Sequence, residues 1–202
     1  MYKHMIRSIA IVAFALALSA CTSVTTQKSI GLVGGEIIAQ APDGYCIDST
    51  SSNPDKGFAI VAPCFAMGAP DSAPSATAVA TIQIGETGSG MVTGAETQMR
   101  SFLQSDEGAA LLSATGDSTT ISDFSSQVAD GTVTVRFNDS APPSKIGLQQ
   151  SEWRVFTDVN GRLVTIALRG PANAPLTQGT GNWLLNAIAA GVKPATVQSS
   201  EL

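Results

Sequence analysis

The stretch Trp153-Arg154-Val155-Phe156-Thr157-Asp158-Val159-Asn160-Gly161-Arg162-Leu163-Val164-Thr165-Ile166-Ala167-Leu168-Arg169 carries the pattern that decides the fold. Its two arms are rich in β-branched and aromatic residues, which suit a pleated, half-buried surface. Asn160-Gly161 between them is a dipeptide that readily takes the left-handed backbone of a two-residue hairpin turn. That turn would place Trp153 opposite Leu168 and Val155 opposite Ile166, and would bring Glu152 to Arg169 with opposite charge. A three-residue turn with a glycine bulge would shift every pair by one.

The same alternation extends upstream. Asp130-Gly131 is a second hairpin dipeptide, flanked by residues 119–128 and 132–137. In the later arm Val133, Val135 and Phe137 alternate with Thr132, Thr134 and Arg136, so one side faces a core. Residues 77–84 read as another strand, with Thr77, Val79 and Thr81 on one face and Ile82 and Ile84 on the other. Residues 45–49 and 58–61 flank a cluster of turn formers from Ser51 to Gly57 and read as a third hairpin. Centred on Asp55, it places Cys46 opposite Cys64. Residues 36–40 are the expected first ordered unit.

The period changes in two places. Thr93-Gly94-Ala95-Glu96 fits a capping box, with the Thr93 hydroxyl accepting from the Glu96 N–H and the glutamate reaching back. Ala95, Met99, Phe102 and Leu103 then share a helical face. Ser105 can start a second helix, since Asp106 and Glu107 meet the positive end of its dipole ahead of Leu111 and Leu112, and Gly116 can stop it. After the 153–169 hairpin, residues 182–190 set Trp183, Leu184, Leu185, Ala187 and Ile188 at helical spacing and end near Gly191 and Pro194. Strands, helices, more antiparallel strands and a last helix make an α+β architecture, one antiparallel sheet with helices packed on it.

Composition narrows what such a domain does. The 202 residues are 44% hydrophobic and 13% charged, too apolar and too weakly charged for a disordered chain. The formal net charge is −5 and becomes more negative once Lys3 and Arg7 leave with a leader, which argues against nucleic acid as a partner. The single histidine is His4, so a mature chain without the leader has no Ser-His-Asp triad, Cys-His dyad or histidine metal site.

Residues 1–20 read as a signal peptide: a basic start at Lys3 and Arg7, then an apolar run at 9–18, well short of the roughly 18 residues of a membrane span. The run ends in Leu18-Ser19-Ala20-Cys21, which resembles the bacterial lipobox. The resemblance implies cleavage before Cys21 and acylation of it, palmitate among the chains, which together anchor stably. An ordinary secretory signal with an incidental cysteine is the alternative. Thr22 stands where the inner-membrane retention signal of enteric bacteria has aspartate, so the expected location is the periplasmic face of the outer membrane. Residues 21–33, Ser/Thr-rich and without apolar period, read as an acylated tether, residues 34–196 as a single α+β domain and residues 197–202 as a disordered tail.

In an oxidising compartment Cys46 and Cys64, set face to face by the hairpin, are expected to form a disulfide. Closing that loop would remove on the order of 3 kcal/mol of unfolded-state entropy. A redox pair is disfavoured, because Cys-x-x-Cys is absent and no histidine or lysine is expected beside either thiol.

The remaining candidates for chemistry read more simply as structure. Gly31, Gly34 and Gly35, and the run Glu86-Thr87-Gly88-Ser89-Gly90, lack the lysine of a phosphate loop and read as turns. Asp43, Asp48 and Asp55 match no EF-hand spacing, so no metal and no cofactor is expected. Asp48, Glu152 and Asp158 have the residue type of a glycosidase pair, but read as solvated strand edges or turn-closing side chains. Trp153 and Trp183 could stack on a sugar, yet their apolar surroundings place both in the core. Residues 139–150 form a long connection containing Pro142-Pro143, so Ser140, Pro142, Pro143 and Lys145 are the candidate partner-binding loop, a merely flexible loop being the alternative, with few core residues expected between Ser140 and Gly147.

The element order over residues 45–192, with the hairpin at 153–164, resembles the PsbP-like fold, shared by extrinsic subunits of photosystem II and by a Ran guanine-nucleotide release factor. A fold does not supply a function. Gly44-Tyr45-Cys46-Ile47-Asp48 with Cys64 downstream, and the same hairpin, resemble a group of alphaproteobacterial lipoproteins. Some members of that group are called cation-transport ATPases, but this sequence has neither the Asp-Lys-Thr-Gly-Thr phosphorylation motif nor the further membrane segments of a pump. The resemblance brings no catalytic residues. The expectation is a non-catalytic envelope lipoprotein, an accessory or binding module bound to the membrane by its lipid and to an envelope protein partner. A carboxylate-based cell-envelope hydrolase and a small-molecule or lipid carrier are the alternatives.

Overall fold

The computed structural model describes residues 26–69, 73–141 and 147–196. The signal peptide, Cys21, Pro142, Pro143, Lys145 and the 197–202 tail lie outside them. Eight strands form one antiparallel sheet: β1 (Thr26–Gln27), β4 (Tyr45–Asp48), β5 (Phe58–Pro63), β6 (Val79–Ile84), β7 (Ile121–Ala129), β8 (Thr132–Asp139), β9 (Ser151–Val159) and β10 (Arg162–Arg169). Their spatial order is β1-β4-β5-β6-β10-β9-β8-β7. A smaller antiparallel sheet, not foreseen from the sequence, has the order β11-β3-β2, with β2 at Ser29–Leu32, β3 at Ile37–Gln40 and β11 at Val192–Pro194. The helices are α1 (Glu96–Leu103), α2 (Asp106–Leu112) and α3 (Gln178–Ala190).

The 153–169 hairpin pairs as its turn chemistry dictates, with Trp153 against Leu168 and Val155 against Ile166. Asn160 and Gly161 both have positive φ, at 52° and 69°. The 130–131 turn likewise joins Ala129 to Thr132. The central strands bury both faces, and the helices separate accordingly. On one face α3 and the small sheet cover Trp153, Ile166, Leu168 and Ile82 with Leu184, Leu185, Ile188 and Leu32. On the other, α1 and α2 bring Leu103 and Leu112 onto Val133, Val135, Phe137 and Phe156.

Five local readings need correction. Residues 26–32, expected in the tether, are β1 and β2, and Leu32 is fully buried. Short backbone-paired strands need no apolar period of their own, so their Ser/Thr composition concealed them. The first hairpin is out of register with the expectation, since Cys46 faces Ala62 rather than Cys64. Its physical cause is Asp48, whose carboxylate accepts from the N–H groups of Thr50 and Ser51 and whose carbonyl accepts from Ser52, winding an extra turn into the first arm. Thr93 does not cap α1. The residue at the cap is Ala95, and Glu96 accepts instead from Gly94 N at 3.1 Å and from Gly131 N of the β7–β8 turn at 2.8 Å. The second helix does start under a Ser105 cap, but it ends at Leu112, with Gly116 in the turn beyond.

The last helix begins four residues earlier than its apolar spacing suggests, capped by Thr177, whose side chain accepts from Thr180 N. Gly181 is the point where it meets the sheet. A Cβ there would lie 2.3 Å from Cε2 of Trp153, so only glycine admits this approach.

Candidate functional site

The Cys46–Cys64 disulfide forms despite the shifted register, with Cα atoms 4.9 Å apart. Cys64 follows directly on β5, in a one-turn 3-10 helix at Cys64–Met67, and reaches diagonally across to β4. A lysine does sit beside it: Lys28 Nζ lies 3.3 Å from Cys64 Sγ and donates to the Tyr45 carbonyl at 3.0 Å. Lys28 comes from the β1–β2 corner, 36 residues away in sequence, which is why no inspection of the cysteines' neighbours could find it.

Beside this corner is a cavity of about 570 Å³, bounded by Lys28, Asp43, Gly44, Pro74, Ser75 and Trp183. Gly44 is required here twice over. Its φ is +78°, and a Cβ would lie 2.9 Å from Pro74 Cβ. The Tyr45 hydroxyl donates to the Ala76 carbonyl at 2.7 Å and pins the same segment; burial pushes its phenol up to about 12. Trp183, expected in the core, is 57% exposed at the cavity rim, whereas Trp153 is fully buried as expected. Both lie in apolar runs, and only the helix's seating on Trp153 selects which side of α3 turns outward. A second cavity, of about 370 Å³, shares Pro74 and Ser75 and is closed by Leu176, Thr177 and Thr180.

The carboxylates singled out from the sequence are dispersed into separate structural tasks. Asp48 holds the turn after β4. Asp158 is not a solvated edge: its Oδ1 accepts from Met91 N at 3.1 Å, and its Oδ2 from Val92 N at 2.9 Å and Thr93 N at 2.8 Å, fastening the segment before α1 to β9. Burial pushes this carboxyl up, but the three N–H groups outweigh it and hold it below its ordinary range. Glu152 is 4% exposed, so it too departs from the solvated expectation. It is clasped between Arg154 Nε and Arg169 Nε, the latter at 2.5 Å, and the expected Glu152–Arg169 pairing is present. Among the described residues no group of three or more His, Cys, Asp or Glu side chains could hold a metal ion.

The 139–150 connection is anchored more firmly than its prolines suggest. Asp139 is buried, accepts from Ala114 N at 2.8 Å and Ala141 N at 2.9 Å, and pairs with Arg169 at 3.6 Å. Ala141 and Gln149 are buried as well, and Gln149 Oε1 accepts from Leu176 N at 2.7 Å. Of the candidate loop residues only Ser140 is described; it is exposed and its hydroxyl donates to the Thr120 carbonyl at 3.2 Å. Both ends of the segment are therefore held to the domain, by Asp139 and Ala141 at one and by Gln149 at the other.

With this geometry the chain is an α+β protein built on one broad antiparallel sheet. No protein-family model and no curated protein sequence matches it. Solved structures similar to it include a point mutant of protein Mog1, 11% identical over 86% of this chain and 97% of that one, with TM-score 0.49. The Ran-binding protein Mog1p of Saccharomyces cerevisiae is 13% identical over 84% and 95%, with TM-score 0.49. Cyanobacterial PsbP (CyanoP) of Synechocystis sp. is 13% identical over 88% and 98%, with TM-score 0.43. At these identities the likeness is one of chain arrangement and transfers nothing of what those proteins bind.

Proposed function

We propose that this protein is a lipid-anchored module of a bacterial envelope, held at the periplasmic face of the outer membrane by acylation of Cys21, and that it acts by contact with an envelope partner. The observation that carries the reading is the Cys46–Cys64 disulfide, in a chain that starts with a leader ending in Leu18-Ser19-Ala20-Cys21. Such a bond persists where the compartment is oxidising, and the leader supplies the route there. Action by contact is favoured over hydrolysis because Asp48, Asp139, Glu152 and Asp158 are each committed to backbone amides or arginines. It is favoured over lipid carriage because the two larger cavities beside α3 are lined in part by Lys28, Asp43, Ser75, Thr177 and Thr180 and not by apolar side chains alone.

Replacing Cys21 by alanine should release the protein from the membrane fraction and abolish labelling by radioactive fatty acid; continued labelling would overturn the anchor. The contact surface we favour is the rim around Trp183, since an exposed tryptophan beside a cavity is the side chain most suited to anchor a partner. Trp183→Ala should leave the melting temperature unchanged and remove the main crosslinked partner recovered by affinity purification from envelopes. Unchanged crosslinks would exclude that surface.

A further inference from the structure

On the face of the large sheet that α3 covers, β7 and β8 extend beyond the helix and carry polar side chains. Ser125 faces Arg136 and Gln127 faces Thr134 across the pair. With Gln178 and Asn182 of α3 these residues line a cleft of about 80 Å³, and among the described residues of its lining Arg136 is the only charged one. The guanidinium lies over the Trp153 ring, its Cζ 5.5 Å from the ring centroid, so one face is covered.

The hydrogen bonding of Arg136 is incomplete. Nη2 donates to Ser151 Oγ at 3.4 Å, beyond the ordinary range, and Nε is buried with no partner. Among the described residues no carboxylate pairs with it. Asp123 accepts from Asn138 Nδ2 at 2.6 Å, and Glu152, on the opposite face of the sheet, is held by Arg154 and Arg169. A guanidinium with no carboxylate partner among the described residues thus lines a polar cleft, where an acceptor from outside the protein can meet it.

We infer that this cleft binds a carboxylate group, held by Arg136 while the surrounding side-chain amides and hydroxyls complete its hydrogen bonds. One cation matches one negative charge, whereas a phosphate monoester carries about −1.5 to −2 and would meet no second cation. Stacking leaves the planar edge of the guanidinium to meet a planar acceptor in the two-point manner of arginine and carboxylate. A water takes up about 30 Å³, so the cleft has room for a carboxylate and its adjoining carbon but not for a sugar ring. The site does not depend on the anchor.

The test is a titration of the ¹⁵N-labelled full chain in detergent, following the Arg136 Nε–H and the side-chain amides of Gln178 and Asn182 by NMR at constant ionic strength. Sodium acetate should produce saturable shifts, its neutral analogue acetamide none, and inorganic phosphate weaker ones. Arg136→Gln should weaken acetate binding by at least about tenfold. Because that change also unstacks Trp153, Asn182→Leu, which fills the cleft and leaves the stack, should weaken binding likewise at an unchanged melting temperature. N-acetyl-dialanine with a free carboxylate binding more tightly than acetate would assign the ligand to a peptide end, and equal binding would assign it to a small free acid. Acetate shifts that do not saturate, or that persist in both variants, overturn the site and leave water as its occupant; phosphate binding tighter than acetate overturns the choice of carboxylate.

Discussion

Asp158 and Glu152 show how far a carboxylate's surroundings separate it from its residue type. Each could have served acid–base chemistry, but one fastens three backbone amides and the other is clasped between two arginines on the sheet. Charge-assisted bonds of the first kind contribute roughly 1–3 kcal/mol, and an asparagine in place of Asp158 would keep the shape while losing the charge. The sign of the pH dependence follows from the lowered carboxyl of Asp158, where burial pushes upward and the Thr93, Val92 and Met91 N–H groups prevail. A carboxyl held below its unfolded value of about 3.9 adds stability that is present above that value and is lost as pH falls through the folded one. In urea melts, Asp158→Asn should therefore be less stable than the parent by about 1–3 kcal/mol near neutral pH, a gap that closes as pH falls below about 4. A gap independent of pH would mean that the charge plays no part.

Element by element, α3 is where pattern and structure part. Its apolar residues occur on more than one side, and Trp183 and Leu184 are neighbours that end in opposite environments, one exposed and one fully buried. The seating is set by Gly181 against Trp153. In an isolated helix, alanine would be better than glycine by about 1 kcal/mol. Here the added Cβ would sit 2.3 Å from the indole, and overpacking of this kind costs about 1–3 kcal/mol or more. Gly181→Ala should accordingly lower stability to chemical denaturation, against the direction of helix propensity; a stabilised variant would show that α3 does not rest on Trp153. By contrast the start of α1 was only half legible, because Glu96 does reach back as a capping glutamate should, but the competing acceptor Asp158 takes the Thr93 N–H.

For the molecule as a whole, residues 26–32 belong to the fold. β1 adds the edge of the large sheet beside β4, and β2 joins β3 and β11. Arg162 ties the two sheets together, its Nε and Nη2 donating to Glu36 Oε2 at 3.2 and 3.1 Å and its Nη1 to the Gly85 carbonyl at 3.0 Å. Leu32 sits in the main core under this arrangement. Truncating it to alanine should destabilise by about 2–5 kcal/mol, as for other buried leucines, with a matching fall in melting temperature. A residue in a solvated tether would show no change, so the measurement separates the two architectures directly.

The two hairpins at Asp130-Gly131 and Asn160-Gly161, the alternation of β8 and the Ser105 cap were determined by sequence alone, because turn chemistry and side-chain period act between residues a few positions apart. The α+β class follows from the order of those units. Tertiary structure alone decided the pairing of Thr26–Gln27 and Ser29–Leu32, whose composition carries no period and whose order comes from bonds to distant strands. It also decided that Lys28 meets Cys64, that Trp153 is covered while Trp183 is not, and that Arg136 lines a cleft with no carboxylate partner among the described residues. Each of these depends on which surface a neighbouring element leaves open, a property of packing across tens of residues that no local window of sequence contains.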